Sequence, residues 1–292
     1  KDMEKACLIL QEKILHNKKV RIVGDYDVDG ISATFILYTG LLKCGAKVDY
    51  EIPDRIKDGY GINDSIIKAA YDDKVDTILT CDNGIAAFDQ IAMAKDMGMT
   101  VIITDHHEIP TKEIEGNNVE NIPIADAVIN PKQSKCIYPN KMLCGATITF
   151  KLVQSLYKIY GFEAKELYPL LEAVAIATVC DVMDLVDENR ILVKLGLKSL
   201  RKSSNYGLNA LIDLSGINIE KLSAYHLGFI IGPCLNASGR LDTAKRGLAD
   251  RSQRRPEHHS PSACSHCVAL SPTRLIRIKR SAVHQRPGDV RR

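Results

Sequence analysis

The stretch VRIVGDYDVDG, residues 20–30, decides the fold of this chain. A short, mostly apolar run ends at a glycine, and three carboxylates, Asp25, Asp27 and Asp29, follow at alternate positions. An apolar run of this kind indicates a strand buried on both faces of a parallel sheet. Ligands of open α/β sheets bind at the carboxyl ends of the strands. The stretch therefore predicts an α/β fold whose functional site begins where this first strand ends.

The remainder of the first 160 residues repeats the alternation of short apolar runs with helical patterns. We predict strands over 20–24, 47–52, 76–80, 100–104 and 125–129. We predict helices over 31–43, 64–73, 86–97 and 146–160. Such alternation is typical of βαβ units and predicts a parallel, doubly wound sheet with flanking helices. Beyond residue 160 we predict only helices, over 163–184, 188–202, 208–214 and 224–231.

Ligand-type side chains recur at three further points. Asp82 follows the third predicted strand, Asp105-His106-His107 follow the fourth, and Asp181 interrupts an apolar helical run. The carboxyl ends of parallel strands share one edge of a sheet, so we expect these groups to converge there. Carboxylates with one or two imidazoles suit Mn²⁺ or Mg²⁺, and the pattern predicts a site for these cations.

Two simpler explanations account for only part of the acidic motif. Capping of the next helix by Asp29 or Ser32 would use at most one acid of the three. A calcium-binding EF-hand loop opens with the same D-x-D-x-D-G spacing. Here, however, the twelfth residue is Ile36 instead of a bidentate glutamate, and a strand precedes the motif. Three adjacent acids repel one another, and divalent cations relieve that repulsion.

Charge is distributed unevenly along the 292 residues. Residues 249–292 contain ten Lys or Arg, nine of them Arg, against three acids, whereas residues 1–248 contain 29 basic and 33 acidic groups. Three interpretations of the end of the chain stay open: a nucleic-acid-binding arm, half of a zinc site at Cys264 and Cys267, or a non-native, frameshifted segment. Low periodicity and high charge favour a disordered or non-native basic tail over residues 248–292.

Composition also bears on location. The sequence has no run of about 18 uncharged apolar residues and no secretory leader, so we expect neither a membrane span nor secretion. Most of the nine cysteines stand singly in apolar surroundings, which is typical of reduced thiols and favours the cytoplasm.

Together these motifs resemble motifs I to IV of the DHH phosphoesterase superfamily and, within it, the RecJ single-strand-specific exonucleases. The segments LCGA at 143–146 and GPCLNASGR at 232–240 also resemble RecJ sequences, and the resemblance covers about residues 4–247. It implies a catalytic domain over residues 1–187. A linker helix (188–203) and the start of an associated region with a phosphate-binding loop would occupy residues 188–247. The family's downstream nucleic-acid-binding motif has no counterpart here, which suggests truncation or a frameshift.

The resemblance also implies an activity: hydrolysis of single-stranded DNA from its 5′ end, in DNA repair and recombination, with two Mn²⁺ or Mg²⁺ ions. Asp25, Asp27 and Asp82 would bind one ion, and Asp29, Asp82, His106 and Asp181 the other. His107 would contact the scissile phosphate, and Asn236, Ser238 and Arg240 would hold a phosphate. A single-strand-binding protein or a helicase is an expected partner.

Two other functions stay open. A phosphodiesterase for short oligonucleotides or cyclic dinucleotides would share the scaffold, but those relatives resemble His-x-x-x-Asp-x-Asp, and position 23 is Val here. A non-catalytic scaffold in a replication complex would typically lose metal ligands, and this chain keeps every one.

Overall fold

A five-stranded parallel sheet forms the centre of the computed structural model, which describes residues 1–54 and 59–241, with side chains to residue 236. Its strands are β1 (Lys19–Val23), β2 (Lys47–Glu51), β3 (Thr77–Cys81), β4 (Thr100–Thr104) and β7 (Ala127–Ile129). They lie in the order β2-β1-β3-β4-β7, and every pairing is parallel. The chain reverses its direction of progress across the sheet between β1 and β3, which is where ligands bind in folds of this type. The predicted parallel α/β fold is confirmed.

Helices cover both faces of the sheet. They are α1 (Met3–Leu15), α2 (Val28–Lys43), α3 (Asp64–Asp72), α4 (Phe88–Asp96), α5 (Gly145–Ile159) and α6 (Leu170–Cys180). Ile22 and Leu79 are buried with α1, α2 and α5, whereas Ile78 and Val101 are buried with α3 and α4. Successive strand residues thus point to opposite faces, as a doubly wound sheet requires. Within the described part of the chain, no helix has the length and apolar character needed to cross a membrane.

The C-terminal part of the described chain is helical. A 3₁₀ turn (Ala164–Leu167) precedes α6, and α7 (Asp187–Leu200), α8 (Tyr206–Leu214) and a second 3₁₀ turn (Ile219–Lys221) follow it. The single helix predicted over 163–184 is wrong, because the structure has a 3₁₀ turn there followed by the separate helix α6. Pro169 lies between the two. Proline favours the start of a helix, where its missing N–H is not needed. The predicted linker helix corresponds to α7, which packs on α6 so closely that a Cβ on Gly196 would lie 2.3 Å from the Leu171 carbonyl oxygen. A role in joining a second domain stays a prediction.

The last described elements form one continuous helical run: α9 (Ala224–His226), a π-helical turn (Leu227–Ile231) and α10 (Gly232–Leu241). A π turn widens the helix ahead of Pro233, whose ring would otherwise press on the preceding turn. The segment 236–240, predicted to be a phosphate-binding loop, is helical instead. The side chains of Ser238 and Arg240, and the basic tail at 248–292, lie outside the described residues.

Helix α1 was not predicted, and neither was an exposed antiparallel hairpin of β5 (Thr111–Ile114) and β6 (Asn117–Glu120). The sequence feature that indicates this hairpin is the Glu115-Gly116 pair, whose φ angles of 52° and 77° fit a two-residue hairpin turn. The strands lack the alternation of apolar and polar residues that marks a half-buried strand, because nearly all of the hairpin faces solvent.

Candidate metal centre

The site is built where strands β1, β3 and β4 end. Val23 pairs with Thr80, and Cys81 pairs with Thr104, so the residues that follow these strands come out side by side. Asp27 begins α2, and the Gly30 N–H donates to its Oδ1 at 2.9 Å. The helix cap is therefore Asp27, and not Asp29 or Ser32 as the capping alternative supposed. Asp29 lies in the first turn of α2 and is buried.

Three overlapping groups of potential ligands form here, with the ligand atoms inside each group within 4.8 Å of one another. Asp25, Asp27 and Asp82 make up the first, Asp29, His106 and Asp181 the second, and Asp82, His106 and His107 the third. Asp82 joins the first two groups, because its Oδ1 lies 3.0 Å from His106 Nε2. The structure brings together all six residues that the sequence analysis assigned as metal ligands.

Among the residues that the structure describes, two carboxylate oxygens around His106 have no hydrogen-bond donor. Oδ1 of Asp82 and Oδ2 of Asp181 are buried and accept no hydrogen bond from the described residues, although His106 Nε2 lies 3.0 and 3.7 Å from them. Oδ2 of Asp29 is 3.6 Å from the same nitrogen. Ligand atoms at right angles around a cation, with bonds of about 2.1 Å, lie about 3 Å apart. The unsatisfied oxygens and their spacing fit a divalent cation.

The charge balance points the same way. Burial, reinforced by Asp27, raises the pKa of Asp25 to about 7. Burial raises the pKa of Asp29 and that of Asp181 to about 6, and it raises the pKa of Asp82 well above its ordinary value. Four carboxyl groups thus resist ionisation as long as no positive charge is near. A bound cation is the species that would stabilise their charged forms.

The N-terminus of α5 closes one side of the centre. The Gly145 and Ala146 N–H groups donate to the Asp29 carboxylate at 2.6 and 2.8 Å. A Cβ on Gly145 would lie only 2.8 Å from Oδ1 of Asp82, so this position has room for glycine alone. The LCGA segment therefore positions two acids at once, with the positive end of the α5 dipole toward them.

Asp82 itself has a special backbone. Its φ is 62°, in the left-handed region that Asn, Asp and Gly tolerate best. Asn83 stabilises this backbone conformation, because its Nδ2 donates to the carbonyl oxygens of Val23 and Cys81 at 3.0 and 2.9 Å. On the outer side, the Tyr60 hydroxyl donates to the Asp82 carbonyl oxygen at 2.8 Å. These bonds lock the carboxylate toward the centre.

His107 lies at the rim. Its Nδ1 is 2.7 Å from Oδ1 of buried Asp105, and this hydrogen bond raises the pKa of His107. Burial alone would raise the pKa of Asp105, but His107 and the backbone N–H groups of Ile85 and His107 hold that pKa below its ordinary value. The arrangement presents a partly exposed imidazole beside the ligand groups, and Asp105 favours its charged form.

Two residues of this rim were not assigned in the sequence analysis. Asp105 could have been found, because it follows β4 directly, as Asp82 follows β3. Tyr60, whose hydroxyl is 3.3 Å from His107 Nε2, has no such signal, because it belongs to a loop. Asn236 is half-buried on α10, and a phosphate-binding role for it, Ser238 and Arg240 stays a prediction.

Comparison with known proteins gives consistent matches. The family model "DHH family, N-terminal domain" matches residues 19–178, three residues short of Asp181. The single-stranded-DNA-specific exonuclease RecJ of Bacillus subtilis (strain 168) is 39% identical over 244 residues, which are 84% of this chain but 29% of that protein. This chain thus spans less than a third of that relative's length.

Solved structures agree with the sequence matches. A crystal structure of exonuclease RecJ bound to manganese has a TM-score of 0.71 and 31% identity, over 82% of this chain and 58% of that one. RecJ from Thermus thermophilus in complex with Mn²⁺ has a TM-score of 0.68 and 29% identity, over 82% of this chain and 33% of that one.

Proposed function

This chain belongs to the DHH family, and on that premise we propose that it hydrolyses single-stranded DNA from the 5′ end, in DNA repair and recombination, with two divalent cations. The observation that carries the proposal is the convergence of two ligand groups on Asp82, with buried carboxylate oxygens that have no hydrogen-bond donor among the described residues. The substrate class is supported by the RecJ relatives, which are described as single-stranded-DNA-specific exonucleases.

The residues divide between two cation sites. Asp25 and Asp27 would hold one ion, Asp29, His106 and Asp181 would hold the other, and Asp82 would bridge them. Oxygen-rich ligand sets of this kind suit Mn²⁺ or Mg²⁺. A pair of such ions, when bound, supplies an activated water and neutralises the charge that develops on the phosphate.

His107 and Asp105 would act on the substrate side. The Asp105 carboxylate fixes the imidazole through Nδ1, and Nε2, which lies 3.3 Å from the Tyr60 hydroxyl, would turn its donor to a phosphate oxygen when substrate binds. Because Asp105 also raises the pKa of His107, the ring keeps its positive charge at higher pH than an ordinary histidine does. Asn236, Ser238 and Arg240 would hold a second phosphate on the side of α10.

Two finer proposals complete the function. From the family resemblance, a single-strand-binding protein or a helicase would deliver the substrate. From the cysteines that stand singly in apolar surroundings, the protein would work in the cytoplasm. Neither is needed for the hydrolysis itself, which the purified chain can be tested for alone.

The test compares substrates at fixed Mn²⁺ concentration. A 5′-phosphorylated single strand should be degraded faster than its duplex, a dinucleotide or a cyclic dinucleotide, and chelation of the metal should stop the reaction. Asp82→Asn keeps the left-handed backbone and the side-chain shape but removes the bridging charge, and it should lower the rate by at least about 10³-fold. Asp213→Asn, an exposed acid on α8, is the matched control and should have no effect.

Other outcomes would assign other functions. Preference for the dinucleotide would identify a phosphodiesterase for short substrates. No hydrolysis of any substrate with Mn²⁺ or Mg²⁺ would favour a non-catalytic scaffold. Near-normal turnover by Asp82→Asn would contradict the bridging role.

A further inference from the structure

A cavity of about 460 Å³ lies beside the metal centre, with His107 in its lining. Its volume falls within the roughly 300–1,000 Å³ range of small-molecule sites. The residues that follow β3 and β4 form its floor, and the N-terminal ends of α3 and α4 form its walls. Its lining includes Ile62, Asn63, Ile85, Ala86, His107 and Glu108.

One buried donor in this wall has no hydrogen-bond partner among the described residues. Asn63 caps α3 through its Oδ1, which accepts hydrogen bonds from the Ile66 N–H at 3.0 Å and from the Ser65 hydroxyl at 2.6 Å. Its Nδ2 is buried and donates to nothing among the described residues. A buried amide without an acceptor is costly, and a ligand that offers an acceptor would remove that cost.

The remaining walls suit a flat, uncharged group. Ile62, Ile85 and Ala86 supply apolar surface. The cavity is a poor place for an anion, because the Glu108 carboxylate lines it, and the nearby cation Lys132 already pairs with Glu108 at 2.7 Å. A nucleobase has two apolar faces and an edge with hydrogen-bond acceptors, so it matches both the walls and the free donor.

We propose that this cavity holds the base of the nucleotide on the 3′ side of the scissile bond, whose 5′-phosphate lies at His107. The inference rests on the proposed function, since His107 lines the cavity and would also touch the phosphate. All four DNA bases offer a ring nitrogen or carbonyl acceptor, and the free group at Asn63 is a donor. The cavity therefore recognises the presence of a base and not its identity.

The experiment measures binding, so it does not depend on cleavage. Calorimetry in Mn²⁺ compares thymidine 5′-monophosphate with the 5′-phosphate of an abasic tetrahydrofuran sugar. The full chain should bind the nucleotide about tenfold more tightly, as expected for one base held by apolar contact and a hydrogen bond. Asn63→Asp keeps the helix cap but removes the donor, and Ala86→Leu fills the mouth of the cavity. Each should reduce the ratio to near one.

Asn205→Asp makes the same chemical change at the cap of α8 and should leave the ratio unchanged. A wild-type ratio near one, or a ratio that Asn63→Asp and Ala86→Leu do not alter, overturns the proposal. If single strands are cleaved while the ratio is one, only this inference fails. If the nucleotide is preferred but no strand is cleaved, the cavity assignment stands and the proposed function fails.

Discussion

Replacing Asp25 by asparagine should stabilise the metal-free protein at alkaline pH. The carboxyl group is buried, and its pKa is raised to about 7 by burial first and by Asp27 second. In the unfolded chain the same group has a pKa of about 3.9. Between these values the folded protein keeps a proton that the unfolded chain has lost, so stability falls as pH rises through this window.

The size of the effect follows from the shift. The pKa shift is about three units, and each unit corresponds to about 1.4 kcal/mol of folding free energy. The charged carboxylate therefore destabilises the folded protein by up to about 4 kcal/mol at pH 8, and by less than about 1 kcal/mol at pH 4. Asparagine keeps an oxygen for the Gly61 N–H, which donates to Oδ1 of Asp25 at 3.4 Å. Without metal, Asp25→Asn should therefore raise Tm by about 10 °C at pH 8 and by little at pH 4. With saturating Mn²⁺ the gain should shrink or reverse, because a ligand is lost.

The assay is thermal unfolding followed by circular dichroism, from pH 4 to pH 8, in chelator and in Mn²⁺. Asp49→Asn is a control of opposite sign, because the Asp49 carboxylate accepts hydrogen bonds from Arg21 Nε and Nη2 at 2.8 and 2.7 Å. It should destabilise the protein at neutral pH. If metal-free Asp25→Asn is no more stable than wild type at pH 8, or if its gain does not depend on pH, the electrostatic reasoning is refuted.

Three further predictions follow from the contacts around the site. Gly145→Ala places a Cβ 2.8 Å from both Cβ and Oδ1 of Asp82, so the two segments must move apart, and we expect hydrolysis to fall about 10²-fold and Tm to fall as well; unchanged kinetics would show that the fit is loose. Asp105→Asn should return the pKa of His107 toward its ordinary value and move the alkaline limb of the pH–rate profile to lower pH, whereas an unmoved limb would exclude His107 as the titrating group. A chain ending at residue 248 should keep metal-dependent cleavage of short substrates with the same salt dependence; a flatter salt dependence would instead identify the tail as a nucleic-acid-binding arm.

Much of the site could be predicted because the carboxyl ends of parallel strands lie at one edge of the sheet. Once the apolar runs before Asp25, Asp82 and His106 are recognised as neighbouring parallel strands, their following residues must meet at one edge. Local pattern is enough for that inference, since each strand and its acids are adjacent in sequence. The parallel fold followed from the same alternation.

The contacts that position the ligands could not be predicted in this way. The Asp29 carboxylate accepts a hydrogen bond from the Gly145 N–H, which is 116 residues away in the sequence. The Tyr60 hydroxyl, on a loop, donates a hydrogen bond to the Asp82 carbonyl oxygen. Neither contact leaves a periodic signal in the sequence. The helical backbone of 236–240 was missed for another reason. Gly232, Pro233 and Gly239 make residues 232–240 resemble a loop, but the π turn ahead of Pro233 lets the helix continue.

The left-handed backbone at Asp82 also constrains how this protein can change over generations. Only Asn, Asp and Gly adopt a φ of 62° with little strain. A single nucleotide change in an aspartate codon reaches both Asn and Gly, so a lineage that abandons hydrolysis has two short routes that spare the fold. We expect descendants that serve only as scaffolds to carry Asn or Gly at this position more often than Glu, Ala or Val. Among natural homologues, the residue at position 82 should therefore distinguish active hydrolases from non-catalytic scaffold proteins.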